Sequence, residues 1–156
     1  FCELNGFEKP NDIKAQNLIN ACAVAVCKEC PDIILAYGFG DEYSFIFKRD
    51  TDHFSRRASK LLSVIVSLFT SSYGMKWIEF FPHKDMRSSA LFEGEVLCLK
   101  ASTDIQAYLA TNKKNVSKLP TDNSTRGGKF AFLSMGRVTI YTLYPNIYQW
   151  AGLPEN

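Results

Sequence analysis

The chain has 156 residues, 46% of them hydrophobic and 22% charged, with a formal charge of +2. That is enough for one globular core and too apolar for a disordered or fibrous chain, and so small a net charge confines any nucleic-acid contact to local clusters. Five cysteines, an odd number, argue against a disulfide framework and fit a reducing, intracellular setting; neither a bilayer-length apolar run nor a signal peptide is read, so a soluble protein without a membrane is expected.

The first residue is Phe1 and not Met, as expected of a processed, trimmed or excerpted chain. Lys9-Pro10-Asn11-Asp12 reads as a helix start: proline disfavours a helix at Lys9, and Asn11 or Asp12 can cap the amides beyond. A helix is predicted from about Asp12 to Glu29. Its apolar positions Ala15, Leu18, Ile19, Cys22, Val26 and Cys27 recur at three and four residues as one buried stripe, and Pro31 ends it. Cys27-x-x-Cys30 has the spacing of half a zinc site or a redox pair, but no second pair or His-x-x-His follows, so these thiols are read as structural or incidental.

Ile33 to Tyr37 reads as a buried strand, Gly38 to Gly40 as a turn, and Glu42 to Lys48 as an alternating strand with Tyr43, Phe45 and Phe47 on one face, which makes a β-hairpin. A long helix is predicted from about Phe54 to Trp77 on Leu61, Leu62, Ile65, Val66, Leu68 and Phe69. Gly94 to Leu99 is a strand, Thr103 to Thr111 a short helix, Asn112 to Lys129 a polar, basic loop or linker, and Arg137 to Tyr144 a last strand. Helix, hairpin, helix, strand is the order of a βαββαβ ferredoxin-like unit that lacks its first strand. The fold class predicted is α+β, with helices on one face of an antiparallel sheet short of one member, in a domain of residues 1–111 followed by an unassigned segment, 112–156.

Asp41 and Glu42 are adjacent carboxylates at the glycine-rich hairpin turn, where they can offer oxygen ligands to a hard cation such as Mg²⁺. Neighbours in a regular strand point to opposite faces, so one is the principal ligand unless the turn bends the backbone. Acidic residues also serve such turns through solvation and turn geometry alone. Arg57 and Lys60 share one face at the start of the second long helix, where backbone amides also favour anions; a triphosphate suits that corner, and so does a plain solvated face paired with Asp50 or Asp52. Lys9 and Asn11 offer a phosphate or ribose contact beside their capping role. His53 and His83 have no partner at nucleophile or metal spacing and read as surface residues.

In order, Gly6-Phe-Glu-Lys-Pro-Asn-Asp12, Ala36-Tyr-Gly-x-x-Asp-Glu-Tyr-Ser-Phe45, Phe54-x-Arg-Arg-Ala-Ser-Lys60, Phe80-Phe81-Pro82 and Phe92-x-Gly94 closely resemble the tRNA-histidine guanylyltransferase family of eukaryotic type, over about residues 1 to 110. The resemblance implies a nucleotidyltransferase palm with two Mg²⁺ ions that adds a guanylate to the 5′ end of tRNA-His in the 3′-to-5′ direction. ATP activates the tRNA 5′-monophosphate, and the 3′-hydroxyl of GTP then attacks. It implies Asp41 as a metal ligand with Glu42 supporting the metal site, Arg57 and Lys60 on triphosphate, and Lys9 and Asn11 on nucleotide. It further implies a homo-oligomer, tetrameric in the family, in nucleus or cytoplasm.

The chain also departs from the family pattern. The Asp-Gly-Arg-x-Phe segment that carries the other principal metal ligand is absent, Gly40 stands where serine is usual, and after Leu109 the resemblance ends. Little or no turnover is therefore expected, with a non-catalytic assembly module, or an RNA-binding module using the basic stretch from Lys113 to Lys129, as the alternatives.

Overall fold

The computed structural model describes residues 4–8, 12–39, 41–99, 107, 110 and 136–143. The first helix, α1, spans Ile13–Glu29. Asp12 caps it, its Oδ1 accepting from the amides of Lys14 at 2.9 Å and Ala15 at 3.1 Å. Its stripe is buried through Ala15, Leu18, Cys22, Ala23 and Val26, and Pro31 leaves the chain no way to continue the helix. Strand β1 (Ile33–Phe39) then pairs antiparallel with β2 (Glu42–Phe47), forming the predicted hairpin with an irregularity between Ile33 and Leu35.

The second long helix, α2, covers Ala58–Phe80, and a separate 3-10 turn covers His53–Arg56. The sequence suggests one continuous helix from Phe54, and the break has a visible cause. Phe54, Ser55 and Arg56 all take left-handed φ values of 51°, 53° and 57°, a conformation costing roughly 1–2 kcal/mol per non-glycine residue. The Arg56 guanidinium holds the turn by donating to the carbonyls of Arg49, at 3.0 Å, and Thr51. By length and composition α2 would also serve as a membrane span, although no such run was expected from the sequence. Here its stripe of Leu61, Ile65, Phe69, Tyr73 and Trp77 packs into the same core as α1.

Strands β3 (Phe92–Leu99) and β4 (Gly136–Leu143) complete a four-stranded sheet of order β1-β2-β4-β3. The sheet is not antiparallel throughout, as the sequence order suggested: β4 is parallel to both β2 and β3, so one antiparallel pair joins two parallel ones. The physical reason is that the segment filling the middle of the sheet arrives from the far end of the chain and enters with its own polarity. Alternation fixes its faces. Val138 and Ile140 join Phe45 and Phe47 beneath the two helices, all fully buried, and burial of this kind contributes roughly 1.5–3 kcal/mol per large side chain. Ala107 and Ala110 are helical; the rest of the predicted 103–111 helix and the basic loop of 112–129 lie outside the described residues.

Candidate functional site

Because Tyr43, Phe45 and Val138 face the helices, the residues next to them along each strand face the other way. The face of the sheet away from the helices therefore reads in rows across the strands, and its middle is covered, with Ser44, Ile46, Thr139 and Tyr141 all buried. At the hairpin end, Glu42, Arg137 and Glu93 stand side by side; the next row holds Tyr37, Ser44, Thr139 and Glu95; the third holds Leu35, Ile46, Tyr141 and Leu97. Thr139 Oγ1 donates to Glu95 Oε1 at 3.1 Å, which fixes the second row. The face thus turns from apolar to charged toward the hairpin, where Arg137 takes the register position between Glu42 and Glu93.

Asp41 is exposed at the turn, and its carbonyl accepts from the Arg137 amide at 3.1 Å. Tyr43, one residue past Glu42, anchors the hairpin from the helix side. Its ring closes over Gly38, where an added Cβ would stand 2.3 Å from the ring, and its hydroxyl donates to Asn20 Oδ1 at 2.8 Å. The hairpin is therefore tied to α1 through Tyr43, which suits a site that must hold a fixed geometry.

Arg57 and Lys60 are exposed at the start of α2, beside the far end of β2: Phe47 contacts the His53 ring at 6.3 Å. Strand β2 lies between them and Asp41, and its length of roughly 17 Å separates the two groups. The structure therefore does not bring the acidic and basic halves together within one chain. Around the basic end, Asp32 accepts from Thr51 Oγ1 and pairs with Lys48 at 2.9 Å. The Thr51 hydrogen bond, and then Lys48, hold the Asp32 carboxyl below its ordinary value. Asp50 and Asp52 are exposed nearby. Lys9 and Asn11 lie outside the described residues, but Asp12 next to them borders an open cleft of about 550 Å³ lined in part by Lys14, His83 and Lys84.

Among the described residues, no three His, Cys, Asp or Glu side chains form a metal-holding group. Asp41 and Glu42 supply two carboxylates, and the next residue across from Glu42 is a cation, Arg137. This donor set does not fit a two-metal centre by itself. The sequence reading passed over Arg137, Glu93 and Glu95, although the alternation of Glu93 and Glu95 with Gly94 and Val96 places both carboxylates on the face away from the helices.

The structure is thus an α+β domain with an acidic hairpin at one end of a mixed sheet. The comparisons narrow this. The family model described as tRNAHis guanylyltransferase matches residues 1–100, and the chain belongs to that family. It is 45% identical over 115 residues to tRNA(His) guanylyltransferase 1 of Arabidopsis thaliana, covering 74% of this chain and 20% of that protein. It is 41% identical over 110 residues to the probable tRNA(His) guanylyltransferase of Homo sapiens, covering 70% of this chain and 37% of that one. The crystal structure of tRNA(His) guanylyltransferase from Saccharomyces cerevisiae matches with a TM-score of 0.51 at 44% identity, over 57% of this chain and 40% of that chain. The chain thus spans well under half the length of these relatives.

Proposed function

We propose that the chain carries, in incomplete form, a ferredoxin-like palm whose chemistry is the addition of a guanylate to the 5′ end of tRNA-His in the 3′-to-5′ direction, with ATP, GTP and Mg²⁺. The observation that carries this is the Asp41–Glu42 hairpin, anchored on α1 through Tyr43 and with Asp41 exposed at its turn, inside a stretch that matches the family. Asp41 is the metal ligand and Glu42 supports the metal site. Lys9 and Asn11 contact nucleotide, Arg57 and Lys60 hold triphosphate at the other end of β2, and the active form is a homo-oligomer in nucleus or cytoplasm. With two carboxylates beside Arg137 and no third ligand joining them among the described residues, this chain alone is expected to bind triphosphate and turn over little.

The test is to incubate the purified chain with tRNA-His, ATP, labelled GTP and Mg²⁺, and to measure GTP binding separately. Expected are measurable GTP binding, weakened by Arg57→Ala or Lys60→Ala, and label on the tRNA near background. No GTP binding at all would sink the palm reading; strong transfer would sink the claim of incompleteness.

A second reading, a non-catalytic assembly module, is favoured by the outer layer of helices, where Val24, Met75 and Ile78 are 54%, 79% and 67% exposed. Light scattering of the chain alone and mixed with a full-length relative decides it: a monomer under both conditions rules it out.

A further inference from the structure

Among the described strands, β4 alone joins β2 to β3; without it the sheet divides into the β1–β2 hairpin and an isolated β3. Its parallel polarity brings its first residues, not its last, to the hairpin end. There Gly136 lies so close to the turn that an added Cβ would stand 2.0 Å from the Asp41 carbonyl oxygen. The next amide, that of Arg137, donates to that same oxygen. Register then sets Arg137 directly between Glu42 on one neighbour and Glu93 on the other, on strands about 5 Å apart. Arg137 and Glu93 are exposed and Glu42 is half-buried, so the three charges share the solvent-facing end of this side of the sheet.

We propose that β4 is a built-in plug of the hairpin end: it completes the sheet, and the Arg137 guanidinium supplies the positive charge that Glu42 and Glu93 would otherwise draw from a divalent cation. This rests on the reading of Asp41 as a metal ligand and adds to it a residue that opposes metal binding. A guanidinium is charged at every accessible pH, and its stem is tied to the central strand, so dilution cannot remove it. A cation approaching Asp41 meets the like charge of Arg137, whose own amide is bonded to the Asp41 carbonyl, and at an exposed residue the repulsion is screened but not abolished.

Manganese serves as the probe, with free Mn²⁺ followed by electron paramagnetic resonance during titration of the wild-type chain, Arg137→Gln, Arg137→Lys, Asp41→Asn and the Asp41→Asn/Arg137→Gln pair. Near-UV circular dichroism checks that each is folded, and Arg137→Met gives a second charge-free variant independent of the glutamine one. Removing the charge is expected to tighten Mn²⁺ binding about tenfold, Arg137→Lys to behave as wild type, and Asp41→Asn to erase the gain. If the charge-free variants bind as wild type does while Asp41→Asn weakens wild-type binding, the plug is wrong and the metal reading of Asp41 stands. If Arg137→Lys gains as much as Arg137→Gln, charge is not the cause and the proposal is again overturned. Absence of binding in every variant overturns both.

Discussion

Gly136→Ala should cost far more stability than one methyl group ordinarily does. The new Cβ would lie 2.0 Å from the Asp41 carbonyl oxygen and 3.0 Å from its carbon, and both are backbone atoms that no side-chain rotation can move aside. Either β4 withdraws from the hairpin end or the turn at Asp41 shifts, and the Arg137 amide to Asp41 carbonyl bond is lost with it. Overpacking of this kind costs roughly 1–3 kcal/mol and the hydrogen bond about 1 kcal/mol more, so a loss of about 2–4 kcal/mol is expected. With a urea m-value of about 2 kcal/mol/M, the unfolding midpoint should fall by about 1–2 M.

Gly74→Ala is the matched control. Gly74 is an exposed residue of α2 with nothing within 4 Å of the added Cβ, so the same substitution should stabilise by about 0.8–1 kcal/mol through helix propensity alone. Urea denaturation followed by far-UV circular dichroism measures both. An unchanged midpoint for Gly136→Ala, with Gly74→Ala shifted upward as stated, would refute the placement of β4 against the hairpin.

Two further outcomes follow from titratable groups. Burial pulls the Asp12 carboxyl upward, but the amides of Glu8, Ala15 and Lys14 outweigh it, and its pKa ends below the ordinary 3.8, as does that of Asp32. A depressed carboxylate stabilises the fold above its unfolded pKa and loses that contribution as pH falls through the folded value, so midpoints should be steady near neutrality and decline below about pH 4; Asp12→Asn and Asp32→Asn should each flatten that decline, and a wild-type profile unchanged down to pH 2 would contradict the carboxylate geometry. Burial pushes the Cys22 thiol up to about 12, whereas Cys98 is exposed; at pH 8 a thiol reagent mapped by mass spectrometry should modify Cys98 promptly and Cys22 only in denaturant.

Much of the fold was legible because its signals are local and redundant. Asp12, the stripe from Ala15 to Val26 and Pro31 specify α1 three times over, and the alternation of Tyr43, Phe45 and Phe47 specifies the side of β2 that faces the helices. The same alternation found β4 to within a residue at each end, yet period-two patterning tells which side chains share a face and says nothing of a strand's neighbours or direction. The mixed sheet was hidden for that reason. The left-handed turn at Phe54–Arg56 had no signal at all, since none of its residues is the glycine or asparagine that such φ values favour. It is held by Arg56 reaching back to Arg49 and Thr51, a contact visible only in three dimensions.

The candidate site misled in a more instructive way. Asp41 and Glu42 stand close in sequence to Arg57 and Lys60, and chemistry that joins metal to phosphate invites placing them together. An extended strand separates its ends by about 3.3 Å per residue, so everything that follows β2 starts roughly 17 Å from what precedes it, and α2 begins there. The two charged groups are therefore independent within one chain, and a double-mutant cycle can say so. Groups more than about 10 Å apart with no shared partner combine additively to within about 0.5 kcal/mol. GTP affinity should thus change in Asp41→Asn/Arg57→Ala by the sum of the single effects, each measured by calorimetry with Mg²⁺ present. A coupling above about 1 kcal/mol would mean that one nucleotide bridges both groups, which in this fold would require them to come from two different copies of the chain.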